Sequence, residues 1–317
     1  MSTDDDLDGV SCAWSPARPD ACAAAPDAHV GDPAVPATGS GGVVSGGGAG
    51  WSAVLPIRPI GGQVDRAPLF CLPGEAGAAW SFAGLLGHLD PHTPVYGLQT
   101  PMDGPLPGTV AESALRGVAE IRRTAPHGPY RLLGWSAGGF VAHEIAVRLR
   151  AAGERVEVIV LGADPAGRAA MVGPGSAGEL VTRFGAVYGI EDDLVDRTAE
   201  QAAAAVRAAM AGTVEVTGAE LDRLTAAAAA AVLTTVDHRP SPLSGDLIVG
   251  IAGRDRDGTP RPDPDMVLRN WRPYVDGTVS GVVFDAAPDE LVDPASMPVI
   301  ADLLTTTATA APARTTC

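Results

Sequence analysis

The chain has 317 residues, a formal net charge of −16, and a composition that is 46% hydrophobic but only 4% aromatic. This length is long for one domain and short for two large ones, and the charge disfavours nucleic acid and anionic membranes as partners. No apolar run approaches the roughly 20 residues that cross a bilayer, and the acidic start lacks the features of a secretory signal. We therefore predict a cytoplasmic protein that binds neither nucleic acid nor membranes.

The cysteines indicate neither a metal site nor a disulfide framework. Cys12 and Cys22 lie near the N-terminus, Cys71 lies in a predicted strand, and Cys317 is the last residue. Their spacing matches no metal-ligand pattern. We predict no bound metal and no cofactor.

Both ends of the chain differ in composition from its middle. Residues 1–50 are rich in Ala, Gly, Pro, Ser and Asp, show no hydrophobic periodicity, and end in a glycine-rich run. Such a segment cannot bury enough apolar surface to offset the entropy lost on ordering. We predict disordered segments over residues 1–50 and 305–317, with one folded domain over residues 51–304.

Short apolar runs alternate with helical segments along this domain. The recurrence of Val141, Ile145 and Leu149 is typical of a helix that buries one stripe. Strands that alternate with helices predict an α/β fold with a doubly wound, mostly parallel sheet. The predicted strands are Val54–Ile57, Leu69–Leu72, Val95–Leu98, Tyr130–Leu133, Val156–Leu161, Leu247–Ile251 and Val279–Phe284.

One segment interrupts the alternation. Residues 176–235 contain three helical stretches and no predicted strand. An insertion between two sheet strands commonly forms a lid over the active face of an α/β scaffold. We predict a helical lid over about residues 170–240, and the alternative is an extension that packs on an edge of the domain.

The pattern G-x-S-x-G stands at residues 134–138, between the fourth predicted strand and the helix after it. Gly134 and Gly138 lack side chains, which lets strand and helix approach across a tight turn. Ser136 is then held with its hydroxyl above the sheet, at a helix N-terminus that favours developing negative charge. Strand, motif and helix in this order predict a nucleophile; the alternative is a glycine-rich turn with an incidental serine.

Other stretches extend this pattern over most of the chain. They read LFCLPG at 69–74, WSFAGL at 80–85, PVYGLQ at 94–99, HGPY at 127–130, GWSAGG at 134–139 and WRPYVDG at 271–277. From about Leu55 to about Leu304 the chain resembles the thioesterase domains that terminate nonribosomal peptide and polyketide assembly lines.

That resemblance implies an α/β-hydrolase fold and a specific kind of substrate. The substrate would be a thioester on the phosphopantetheine arm of an acyl or peptidyl carrier protein, so phosphopantetheine enters only as part of the substrate. Ser136 would form an acyl-enzyme, and water or an internal nucleophile of the substrate would then release an acid or a ring.

The acid and the oxyanion donors are assigned by position. Asp164 follows the fifth predicted strand, where the family places its acid; Asp255 and Asp257, after the next strand, are alternatives. Backbone amides of Ala137 and Glu75 match the oxyanion-hole positions. A carboxylate that points toward a forming oxyanion would oppose it, so we expect the Glu75 side chain to point outward.

The base of the triad is missing from its expected place. The resemblance puts the catalytic histidine at Pro288, and no histidine follows His238. Asp289 and Glu290 flank the position, but a free carboxylate with a pKa near 4 is a weak match for serine activation. His29, His92, His127 and His143 are disfavoured by position, whereas His238 could reach the site only if its loop folds back over it.

These features lead to two main hypotheses. In the first, the chain is a thioesterase that acts on carrier-bound acyl or peptidyl groups through Ser136, with weak hydrolysis because the triad is incomplete. In the second, it is a catalytically impaired relative that binds a carrier protein or acyl chain without efficient turnover. A lipase or esterase is a third interpretation, which the similarity outside the G-x-S-x-G pattern disfavours.

Overall fold

The computed structural model describes residues 53–60, 66–75, 77–167, 176–184, 190, 192–209 and 215–309. The predicted disordered segment over residues 1–50 lies outside this range, as do residues 310–317, so disorder there stays a prediction.

A seven-stranded sheet forms the centre of the described domain, in the order β1-β3-β2-β4-β5-β6-β7. Only β1 is antiparallel to its neighbour, and every other pair is parallel. The predicted α/β fold with a mostly parallel sheet is confirmed. The strands are β1 (Val54–Arg58), β2 (Leu69–Leu72), β3 (Val95–Leu98), β4 (Tyr130–Trp135), β5 (Val156–Leu161), β6 (Leu247–Ala252) and β7 (Val279–Phe284).

Helices connect the parallel strands. Thr109 caps the helix that joins β3 to β4, because its side chain accepts a hydrogen bond from the amide of Glu112. A 3-10 helix over Ala79–Gly87 joins β2 to β3. The α-helices are α1 (Val110–Thr124), α2 (Ala137–Ala151), α3 (Ala177–Phe184), α4 (Ala199–Ala209), α5 (Gly218–Val236), α6 (Met266–Trp271) and α7 (Met297–Thr309).

Both faces of the sheet are covered, so its strands are apolar almost throughout. Successive side chains of a strand point to opposite faces. Leu69 and Cys71 accordingly belong to one buried cluster, together with α7 and the helices between β5 and β6. Phe70 and Leu72 belong to the other cluster, with α1 and α2. Within the described ranges no helix is both long and apolar enough to cross a membrane.

Three helices, α3, α4 and α5, lie in the segment for which a lid was predicted. A capping box of Thr217 and Glu220 begins α5. The guanidinium of Arg223 donates to the carbonyl of Gly104 at 2.6 Å, in the loop after β3. The side chain of Leu224 lies beside Gly77, in the loop after β2. α5 therefore lies at the edge of the sheet where the parallel strands end.

The last helix overlaps the segment predicted as a disordered C-terminal tail. α7 continues to Thr309, five residues into that segment. Ile300, Ala301 and Leu304 are buried, and Arg131 donates to the carbonyl of Leu304. These contacts attach the part of α7 before residue 305 to the sheet.

A buried histidine lies on the second turn of α2. The His143 side chain is fully buried, 4.9 Å from the ring of Trp271, and neither ring nitrogen has a hydrogen-bond partner. Burial, together with smaller effects of repulsion by His238 and Arg150, lowers the pKa of His143 to about 3. The imidazole is therefore neutral in the folded chain.

We predict that His143 makes the fold sensitive to acid. The unfolded chain binds a proton on this group below about pH 6.5, and the folded chain binds it only near pH 3. Its contribution to stability is thus complete above pH 6.5 and is lost as the pH falls toward 3. Urea unfolding at pH 7, 6 and 5 gives the free energy of unfolding at each pH. This free energy should change less with pH in His143→Phe than in the wild type, by up to about 1.4 kcal/mol per pH unit. Exposed His92→Asn is the control, and equal slopes for His143→Phe and wild type would contradict the prediction.

Candidate active site

Ser136 lies on a strained turn between β4 and α2. Its φ of 51° and ψ of −120° are rare for a residue with a side chain. A β-carbon at Gly134 would overlap the backbone of Gly138, and one at Gly138 would overlap the carbonyl of Pro73. The amide of Ser136 donates to the carbonyl of Leu161 at 2.8 Å. Strand, helix and the loop after β2 therefore meet at this one residue.

The Ser136 hydroxyl has a carboxylate as its partner. Ser136 Oγ donates to Glu75 Oε1 at 2.6 Å, and Glu75 is only 7% exposed. The expectation that Glu75 points outward is wrong. Glu75 lies in the turn after β2, in which the amide of Gly77 donates to the carbonyl of Gly74, and its side chain reaches the serine that follows β4.

A cavity of about 300 Å³ opens beside the serine. Its lining includes Ser136 after β4, Asp164 after β5, and Pro288 in the loop after β7. The ion pair of Asp255 with Arg261 and the nearby Arg256 complete its polar wall. Ser136 and Asp164 therefore line the same cavity, although they follow different strands of the sheet.

Asp164 is held in place by hydrogen bonds from two directions. Its Oδ1 accepts from the side-chain amide of Asn270 at 2.9 Å and from the backbone amide of Ala166 at 2.9 Å. Just before it, the carbonyl of Ala163 accepts from the indole of Trp271. Asn270 and Trp271 come from α6, a contribution to the site that the sequence patterns did not indicate.

The alternative acids have other partners. Asp255 Oδ1 accepts from Arg261 Nε at 2.9 Å, and Asp257 Oδ1 accepts from the hydroxyl of Thr259 at 2.7 Å. Asp255 lines the cavity in an ion pair, whereas Asp257 belongs to an exposed turn. Both are less suited than Asp164 to act beside Ser136.

No histidine within the described ranges lines the cavity. His88, His92 and His127 are exposed, and the last two lie in loops before β3 and β4. His238 packs edge-on against Phe140, 5.8 Å between ring centres, and its Nε2 lies 3.6 Å from Glu144 Oε1. It therefore contacts the second turn of α2 instead of folding back over Ser136.

A hydrogen bond from a side chain to the backbone joins the loop at Pro288 to the turn that carries Ser136. The indole nitrogen of Trp135 donates to the Pro288 carbonyl at 3.0 Å. Asp289 and Glu290 are exposed, and Glu290 Oε2 accepts from the amide of Ala287 at 2.8 Å. Neither of the two carboxylates that follow Pro288 lines the cavity beside the serine.

The two residues predicted as oxyanion donors lie next to the serine turn or after β2. Ala137 is the first residue of α2, directly after Ser136, and Glu75 follows β2, so their oxyanion role stays a prediction. In the described part of the chain, no cluster of His, Cys, Asp or Glu side chains could hold a metal ion.

A mostly parallel sheet with helices on both faces and a serine on a strained strand-to-helix turn defines an α/β hydrolase. The model of the thioesterase domain family matches residues 67–293, and the chain belongs to that family.

Relatives and solved structures agree with this family. The chain is 31% identical to malpinin synthetase of Mortierella alpina over 258 residues, which are 80% of this chain and 3% of the synthetase. It is 40% identical over 111 residues to a dimodular nonribosomal peptide synthase of Bacillus subtilis (strain 168), covering 34% of this chain and 4% of that protein. The Vlm2 thioesterase domain shares the fold, with a TM-score of 0.63 at 17% identity over 80% of this chain and 96% of that domain. The chain therefore spans a small part of the length of these synthetases.

We predict that Gly138→Ala destabilises the elbow. The new β-carbon would overlap the carbonyl of Pro73, so the loop that carries Glu75 must shift, at a cost of roughly 1–3 kcal/mol. Gly87→Ala is the matched control, because a β-carbon there meets nothing within 4 Å. Thermal unfolding of both variants measures the difference, and equal melting temperatures would show that the elbow has room for a side chain.

Proposed function

We propose that this domain accepts an acyl or peptidyl group from the phosphopantetheine thioester of a carrier protein onto Ser136 and then releases it. The observation that carries this proposal is the strained Ser136 at the mouth of a cavity of about 300 Å³. Membership of the thioesterase domain family and similarity to peptide synthetases support the thioester substrate and the carrier-protein partner.

Each step of acyl transfer has a candidate residue in or beside this cavity. Ser136 Oγ attacks the thioester carbonyl, and we assign the oxyanion donors to the backbone amides of Ala137 and Glu75. Asp164 supplies a negative charge held by Asn270 and Ala166. In many serine hydrolases such an acid orients a histidine; we assign Asp164 an electrostatic role here, since none of the described histidines lines the cavity.

A second candidate function is binding without turnover. It is favoured by Pro288, which lines the cavity where the resemblance expects the histidine, and by the carboxylate bonded to the nucleophile. In that case the domain would hold a carrier protein or an acyl chain and leave Ser136 unacylated.

We predict that Ser136→Ala abolishes acyl-enzyme formation. Intact mass and free thiol would be followed after mixing the protein with an acylated carrier protein or an acyl-phosphopantetheine thioester. Ser113→Ala is the matched control, because the Ser113 hydroxyl lies on α1 and donates to the carbonyl of Thr109. A mass increase that depends on Ser136 and comes with thiol release supports the transfer function. No adduct in the wild type, together with tight binding of the carrier protein, would instead support the binding function.

We predict that Asp164→Asn has a small effect on acylation. Asparagine retains an oxygen that can accept from Asn270 or Ala166, and only the charge is lost. The acylation rate should fall by less than about tenfold, against the roughly 10⁴-fold loss where an acid orients a histidine. Stopped-flow thiol release measures the rate, and a loss as large as that of Ser136→Ala would mean that Asp164 does orient a base.

A further inference from the structure

One buried titratable group beside the nucleophile has no role in the family mechanism. The Glu75 carboxylate is 7% exposed and lies 2.6 Å from Ser136 Oγ, within hydrogen-bond distance. A general base must lie about 2.6–3.2 Å, heavy atom to heavy atom, from the group whose proton it takes. Among the residues that the structure describes, no other side-chain acceptor is recorded for this hydroxyl.

The turn that carries Glu75 is built with little freedom. Gly77 has a φ of 68°, and a β-carbon there would meet the hydroxyl of Thr100. The α-carbon of Gly74 faces the indole of Trp135, since an added β-carbon would be 3.0 Å from it. Gly74 and Gly77, on either side of Glu75 in this turn, thus each lie close to a neighbouring element, and the Glu75 carboxylate between them contacts Ser136.

We propose that Glu75 is the general base of this site and takes the Ser136 proton in place of the missing histidine. This inference rests on the proposed acyl transfer to Ser136. It assigns to the side chain of Glu75 a role that is separate from the oxyanion role of its backbone amide.

The proton and the charge balance in each step. As Ser136 Oγ bonds to the thioester carbonyl carbon, its proton passes to Glu75 Oε1, and the carbonyl electron pair moves onto oxygen. When the C–S bond breaks, the sulfur leaves with that bond's electron pair and takes the proton back from Glu75. A water molecule that attacks the acyl-enzyme then gives its proton to Glu75, which returns it to Ser136 Oγ.

This transfer moves one negative charge instead of creating a new pair of charges. Before the attack the charge lies on Glu75, and afterwards it lies on the oxyanion while Glu75 is a neutral acid. An ionised carboxylate beside an oxyanion would be repelled, but a protonated carboxyl can donate a hydrogen bond to it. The inward position of Glu75 is therefore compatible with an oxyanion hole only if Glu75 accepts the proton.

A carboxylate base also fits a thioester. A thiol has a pKa of about 8.5, so the departing sulfur is a good leaving group that depends little on how far the proton has moved from Glu75 when the C–S bond breaks. An alkyl ester or amide expels a far more basic group, whose departure depends more strongly on that proton. We therefore expect Ser136 to be acylated by thioesters much faster than by matched alkyl esters.

Substitution by glutamine separates the possible roles of Glu75. The side chain introduced by Glu75→Gln would have nearly the same shape and an oxygen that still accepts the Ser136 hydrogen bond, but it would not take a proton. The test compares wild type with Glu75→Gln, Glu75→Asp, Glu75→Ala and, as control, Glu290→Gln, whose exposed carboxylate accepts a hydrogen bond from the nearby Ala287 amide. Folding is checked by thermal unfolding, and Glu75→Asp keeps a base should Glu75→Gln fail to fold.

Two readouts distinguish this inference from the proposed function. The first is the rate at which a fluorophosphonate probe labels Ser136, which reports activation of the serine whatever the natural substrate is. The second is acyl-enzyme formation from an acyl-phosphopantetheine thioester. We expect Glu75→Gln and Glu75→Ala to lower both rates by about 10²-fold or more, Glu75→Asp to lower them less, and Glu290→Gln to leave them unchanged.

Each result decides between these assignments. Loss of probe labelling in Glu75→Gln supports the base even if the thioester gives no adduct, in which case only the acyl-transfer function fails. Full labelling of Glu75→Gln overturns the base role and leaves Glu75 at most a positioning residue. Faster labelling of Glu75→Gln or Glu75→Ala also overturns it, because Glu75 would then block the nucleophile. A wild-type Ser136 that the probe does not label overturns it as well.

Discussion

The close approach of β4, α2 and the loop after β2 is the constraint that holds the whole site together. Backbone atoms of Gly138, Pro73 and Leu72 lie so near one another that no β-carbon fits at residue 138. Ser136 consequently takes a backbone conformation that costs free energy. Such a conformation persists because the amide of Ser136 is bonded to β5 and α2 begins directly after it. These contacts together fix the position of the Ser136 hydroxyl at the end of β4.

Trp135 couples the two loops that determine the chemistry around this hydroxyl. Its indole lies against Gly74, beside the residue whose carboxylate accepts the hydrogen bond of the serine. The indole nitrogen also donates to Pro288. The loop that carries Glu75 and the loop that carries Pro288 therefore both contact the Trp135 side chain. A change in one loop that moves this indole would alter the packing of the other loop.

Side chains far from Ser136 position α2 and the end of β5. Glu144 is buried and accepts from both the amide and the hydroxyl of Ser241, which ties α2 to the segment before β6. Trp271 packs against His143 with the two rings tilted, and it donates to the carbonyl of Ala163, next to Asp164. Although the chain is strongly acidic, acidic and basic side chains both line the cavity, so its local charge differs from that of the whole molecule.

The strands, the sheet class and the nucleophile could all be predicted from the amino-acid sequence, because each depends on a local pattern. Apolar runs bounded by turns located all seven strands, and the two glycines around Ser136 follow from sterics within five residues. The inward direction of Glu75, the bond from Asn270 to Asp164 and the packing of His238 on α2 emerged only from the folded chain. The first two depend on contacts between residues 61 and 106 positions apart. No local pattern specifies the direction of a side chain when its partner comes from a distant part of the chain.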